Sequence, residues 1–150
     1  MKLTVCITTF DRWHSCIKAL QSVCEQKLDD LEVILVDDCS SEPMPKKVRD
    51  YVTRKGVLYI RHRRNEGLAR ARNTALEIAQ GEYFSFCDDD DEWPDGLAQK
   101  LLNSIRDGLP GVRMAVAIPA NQYRACRRLF ENDPSLSELM IKGYTPPVSS

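Results

Sequence analysis

Phe86 to Trp93 read FCDDDDEW, with four consecutive aspartates, Asp88 to Asp91, followed at once by Glu92. Like charges side by side repel unless water or a cation screens them. Hard carboxylate oxygens on a loop after a strand suit Mg2+ or Mn2+ and not zinc. Such an ion uses one or two carboxylates and completes its shell with water and substrate phosphates. Bare aspartates would repel a diphosphate, but a divalent ion between them turns the repulsion into a bridge and stabilises a departing nucleoside diphosphate.

Three other readings compete. In a calcium EF-hand loop starting at Asp88, position six should be glycine and is Trp93, and position twelve should be glutamate and is Gln99. A phosphate-accepting receiver domain needs its aspartate at the end of the third strand, where this chain has IRHRRN. The third is a solvated acidic turn that caps the helix at Pro94. A second acidic pair, Asp37 and Asp38, at another strand end weighs against that reading.

The elements that must position these acids follow from periodicity. LTVCITT (3–9) and LEVILVDD (31–38) are apolar, β-branched runs suited to strands buried on both faces. Between them Trp13, Ile17, Leu20 and Cys24 recur at helical spacing, with Asp11 as the expected cap. Pro43 lies near the expected start of a second helix, which Gly56 closes. VLYIRH (57–62) is a third strand. Residues 65–81 hold a loop and a helix, with Leu68, Ala71, Ala75, Leu76 and Ala79 toward the sheet and Gly81 as C-cap. EYFSFC (82–87) is a fourth strand, 94–108 another helix and VRMAVAIPA (112–120) a fifth strand.

Strands alternating with helices predict an α/β fold, a Rossmann-like, mostly parallel sheet with helices on both faces. Ligands of such sheets bind at the carboxyl ends of the strands, near the switch in strand order. Thr8, Thr9 and Phe10, Asp37 and Asp38, and Asp88 to Asp91 all fall at such ends and should converge on one rim.

Composition bounds the function. At 150 residues, with 43% hydrophobic and 29% charged residues, the chain reads as one globular domain or part of one. The formal charge of −1, from 21 basic and 22 acidic residues, gives no electrostatic case for a nucleic-acid partner. The six cysteines form no CxxC pair, and residues 1–10 are too short and polar for a secretory leader, so free thiols in a reducing cytoplasm are expected. No apolar run approaches the ~20 residues of a membrane span. The expectation is a cytoplasmic protein, with contact at the inner face of the membrane left open. His14 and His62 have no acid at a suggestive spacing and read as structural or surface residues.

VCITTFDR, EVILVDDCS and NEGLARARNTALEIAQGEYFSFCDDDDEWPDGL resemble, in order and spacing, the amino-terminal half of family 2 glycosyltransferases, over about residues 3–105. The resemblance implies the A-type glycosyltransferase fold, a nucleotide-sugar donor, an inverting reaction and a Mn2+ or Mg2+ cofactor. Thr8 and Phe10 would line the nucleoside pocket, with the Phe10 ring against the base, although Phe10 could equally be core. Asp38 would accept a hydrogen bond from the base, as uracil N3–H would supply in a UDP-sugar, and Asp37 would cap the turn. Asp88 would bind the ribose hydroxyls, and Asp89 or Asp90 the metal, because the family's DxD element falls on Asp88 to Asp90. Arg72 and Asn73 match an element beside the nucleotide, with a solvated helix face as the alternative for Arg70 and Arg72. Gly67 would permit close backbone approach.

The resemblance also implies a general base in the carboxyl-terminal half, beyond a segment like GYTPPVSS (143–150). Glu131, Asp133 and Glu138 match no base motif. Residues 1–120 are therefore expected to form the donor-binding core, and 121–150 the start of an incomplete acceptor-side region, with the catalytic residue unknown. The acceptor would be a saccharide or lipid-linked hydroxyl, in surface polysaccharide or glycolipid synthesis. A sheet cut short would expose an edge and invite self-association. The rival functions are a nucleotide-binding fragment or vestigial domain without turnover, and a nucleotidyltransferase. The latter would want a glycine-rich loop where TTFDRW stands.

Overall fold

The computed structural model describes residues 2–106 and 118–119. Along the chain run β1 (Leu3–Thr9), α1 (Trp13–Cys24), β2 (Leu31–Asp37), α2 (Lys46–Lys55), β3 (Leu58–Arg61), α3 (Leu68–Ile78), β4 (Tyr83–Asp88), α4 (Leu97–Arg106) and β5 (Ile118–Pro119). The sheet order is β3-β2-β1-β4-β5. The first four strands are parallel, and β5 pairs antiparallel to β4. Of the strand expected at 112–120, only Ile118–Pro119 lies among the described residues. Residues 121–150, with Glu131, Asp133, Glu138 and GYTPPVSS, lie outside them.

The apolar runs of β1 and β2 are explained by burial on both faces. Leu3, Val5 and Ile7 point to one side with Val33 and Leu35, against α1, α2 and α4. Cys6, Ile34, Val36 and Phe84 point to the other, against Ala71, Ala75 and Leu76 of α3. The small alanines let α3 sit close to the strands. The sheet therefore has helices on both faces, as its sequence pattern predicts.

Several local expectations are corrected. Asp11 does not cap α1: its carboxylate accepts from the Ser41 backbone N–H and hydroxyl, and Arg12 holds the N-cap position. The second helix starts just after Pro45, near Pro43 as expected, and it closes on Gly56 in the left-handed region at φ 67°. The third helix closes at Ala79, not Gly81. Gly81 instead meets β1, where a Cβ would lie 2.6 Å from Thr4 N and 2.7 Å from Tyr83 O. Pro94 precedes α4 by a turn in which Leu97 N donates to Pro94 O at 3.1 Å. Leu68 faces outward, 41% exposed, rather than into the sheet.

The cysteines Cys6, Cys16, Cys24, Cys39 and Cys87 are unpaired. Burial pushes the Cys16 and Cys87 thiols up to about 12 and Cys24 to about 11, which keeps them protonated and unreactive. Among the described residues no helix is long and apolar enough to cross a membrane.

Candidate active-site cleft

The strand order turns back at β1: β2 and β3 lie on one side of it and β4 on the other. This is a switch point, where the loops after adjacent parallel strands diverge and leave a crevice. Register brings the acids together there, with Thr8 opposite Asp88 and Thr9 opposite Asp37. A cleft of about 300 Å³ opens over these ends. Its β1 wall is Thr8, Thr9, Phe10 and Arg12, and its β4 wall is Asp88, Asp89 and Asp90. Asp38, Asn65, Gly67, Leu68 and Ala71 close the remaining side.

Phe10 is 42% exposed, so its ring is a wall of the cleft and not part of the core. Leu68 provides a second apolar wall. The adjacent acids of β2 differ in use. Asp37 is fully buried and caps its turn by accepting from Ser40 N at 2.7 Å, while Tyr59 donates its hydroxyl at 3.0 Å. Burial and that bond to Asp37 raise the Tyr59 pKa.

Asp38 organises the loop before α3. Its Oδ1 accepts from Glu66 N at 2.9 Å and its Oδ2 from Gly67 N at 2.7 Å. His62 Nδ1 lies 2.7 Å from Asp38 Oδ1, and Nε2 lies 2.9 Å from the Thr74 hydroxyl. His62 is thus a structural residue whose partner acid lies 24 residues away, because β3 carries it beside the end of β2. Gly67 adopts φ 87°, a region that favours glycine, so the loop can turn its N–H toward the carboxylate.

The two arginines of ARARN separate. Arg70 is exposed and pairs with Glu66 and Glu77. Arg72 lies behind the cleft, with Nη2 donating to Asp88 Oδ1 at 2.7 Å and its guanidinium 4.7 Å from the Phe86 ring centroid. Neither Arg72 nor Asn73 is among the residues lining the cleft. Asn73 carries a buried Oδ1 without a protein donor.

The four aspartates also differ. Asp88 is half-buried on β4, Asp89 is 3% exposed, and Asp90 and Asp91 are exposed. Asp89 Oδ2 is buried with no hydrogen-bond donor. Burial raises its pKa above the ordinary carboxylate value, and the Thr9 hydroxyl and the Arg12 charge offset this only in part. Arg12 bridges the loop, with Nε 3.5 Å from Asp89 Oδ1 and Nη1 2.9 Å from Asp90 Oδ2. Among the described residues no three His, Cys, Asp or Glu side chains form a metal cage. The unsatisfied Asp89 oxygen and the exposed Asp90 carboxylate fit an ion that shares its shell with a ligand's phosphates. The sequence reading missed Arg12, Asn65, Leu68 and His62. Arg12 and Leu68 were within reach of the strand-end rule, since each follows closely on a rim loop.

Residues 4–142 match the model of Glycosyl transferase family 2. The chain is 37% identical, over 94 residues, to WcaA of Escherichia coli (strain K12), a glycosyl transferase ascribed to colanic acid biosynthesis; the match covers 61% of this chain and 33% of that protein. Its fold is similar to S. aureus TarS 1-349 in complex with UDP-GlcNAc, at TM-score 0.65 and 26% identity, over 71% of this chain and 32% of that one. It is also similar to the mannosyltransferase PcManGT of Pyrobaculum calidifontis in complex with GDP-Man and Mn2+, at TM-score 0.60 and 30% identity, over 70% and 31%. The chain spans about a third of the length of each.

Proposed function

The chain belongs to glycosyl transferase family 2, and from that premise we propose that it forms the donor-binding part of a metal-dependent, inverting transferase acting on a nucleotide sugar. The observation that carries this reading is the cleft at the switch point, with an exposed aromatic ring on one side and a carboxylate loop on the other. A nucleoside diphosphate has that polarity: a flat apolar base, a hydroxylated ribose and a charged tail. Phe10 and Leu68 would hold the base, and Asp88, oriented by Arg72, would accept from the ribose hydroxyls. Thr8 and Gly67 would bring hydroxyl and backbone groups to the nucleoside, and Asn73 would support the α3 side.

Asp38 would reach the base only with the acceptor capacity that His62, Glu66 and Gly67 leave free. Its larger contribution is to fix the loop that shapes the pocket. Asp89 and Asp90 would hold Mn2+ or Mg2+, which when bound neutralises charge developing on the departing diphosphate. An acceptor hydroxyl would attack the anomeric carbon from the opposite side, giving inversion, and a base outside the described residues would take its proton. Uridine is the proposed base, and the acceptor a saccharide or lipid-linked sugar of a surface polysaccharide, the class to which WcaA is ascribed.

Calorimetric titration with UDP, GDP and CDP, each with and without Mn2+, tests this. The expected result is binding that requires Mn2+ and favours UDP. A folded chain that binds none of the three in either condition would overturn the donor-site reading.

A further inference from the structure

Arg12 occupies an unfavourable place for a cation. It is the N-cap residue of α1, where the helix dipole presents partial positive charge, and the first turn of α1 holds no acid to offset it. The turn that puts it there is held from outside. Asp11 adopts φ 56°, a left-handed conformation, and is clamped to the loop after β2 by Ser40 Oγ, which accepts from Asp11 N at 2.9 Å, and by its own bonds to Ser41. The clamp aims the Arg12 guanidinium at Asp89 and Asp90.

These two carboxylates are not equivalent partners. Arg12 and Asp90 are both well exposed, with side chains 57% and 59% accessible, so their pair is screened and weak. Asp89 is 3% exposed, and one of its oxygens has no donor. Its buried charge needs a cation, and among the described residues Arg12 is the cation paired with it.

We propose that Arg12 is a resident counter-cation of the acidic loop, which a divalent ion must displace from Asp89 and Asp90 in order to bind. This rests on the reading of that loop as the metal site. Arg12 therefore sets the threshold for metal binding. It screens the aspartates when the site is empty, and it weakens capture of a free ion in the absence of nucleotide. Displaced, its guanidinium remains on the cleft wall, within reach of a phosphate.

The test is Mn2+ binding to the 150-residue chain without nucleotide, read from the electron paramagnetic resonance signal of the free ion. Arg12→Met keeps the apolar stem and removes the charge, and circular dichroism checks its fold. The variant should bind Mn2+ about two- to fivefold more tightly than the parent, the range expected for a partly exposed competitor. A damaged site would lose affinity, so a gain separates competition from structural disruption. Unchanged or weaker binding by the folded variant, with the parent binding Mn2+, overturns the role of Arg12 and leaves the metal site standing. Absence of Mn2+ binding by parent and variant, with and without UDP, overturns the metal site and this inference with it.

Discussion

Arg72 donates from Nη2 to Asp88 Oδ1 at 2.7 Å while its guanidinium lies against the Phe86 ring at 4.7 Å. The arginine side chain is 12% exposed and the aspartate 47%, so a nearly buried cation holds a carboxylate that still reaches the cleft. The pair joins α3 to β4 across the rim, and it fixes which way Asp88 faces.

Arg72→Met should therefore weaken UDP binding in the presence of Mn2+ by about tenfold, the loss of one charge-assisted bond. Arg72→Lys should restore little, because a compact ammonium cannot keep the planar stack on Phe86 and the bond to Asp88 together. Titration calorimetry of both variants checks this, and full rescue by lysine would show that charge alone suffices.

Removal of the Asp38 carboxylate should be more damaging to the fold. Asp38→Ala leaves the N–H groups of Glu66 and Gly67 and the His62 ring without their acceptor. The expected cost is about 3 kcal/mol in urea unfolding, with faster hydrogen exchange over residues 65–67. His62→Ala removes one of the three partners and should cost about 1 kcal/mol.

Asp89, the proposed metal ligand, should make stability and metal binding respond to pH in opposite directions. Burial raises its folded pKa above the unfolded value of 3.8. In the window between the two values the folded chain binds the proton more than the unfolded chain does. The contribution is thus fully present below 3.8 and is lost as pH rises through the raised value. Asp89→Asn should gain on the parent in urea-unfolding stability between pH 3.5 and pH 7, while Mn2+ affinity of the parent should rise over the same range. A stability difference that stays flat with pH would contradict the buried-charge account.

Gly81→Ala should cost about 2–3 kcal/mol, since its Cβ would press on Thr4 and on Tyr83 O, and backbone cannot yield as a side-chain tip can. Gly81 N also donates to Thr4 Oγ1 at 2.9 Å, and a shift would break that bond. Thermal and urea unfolding give the number directly. The cleft lies at the other end of β1, so UDP affinity of the folded variant should be unchanged.

The β-branched runs of β1 and β2, the helical spacing of α1 and the left-handed Gly56 are consequences of local sequence, and each was readable from it. So was the gathering of Thr8, Asp38 and Asp88 at one rim, because parallel strands joined by helices must end on the same side. Tertiary structure alone decided what those residues do to one another. The order β3-β2-β1-β4 set Thr8 against Asp88. The rotation of α3 turned Arg72 mostly inward and exposed Arg70 and Leu68, although all three lie within one turn or so of the same helix. His62 reached Asp38 across 24 residues and Arg12 reached Asp90 across 78. Such pairs depend on sheet register and helix rotation, which the packing of the whole core determines and no short window of sequence contains.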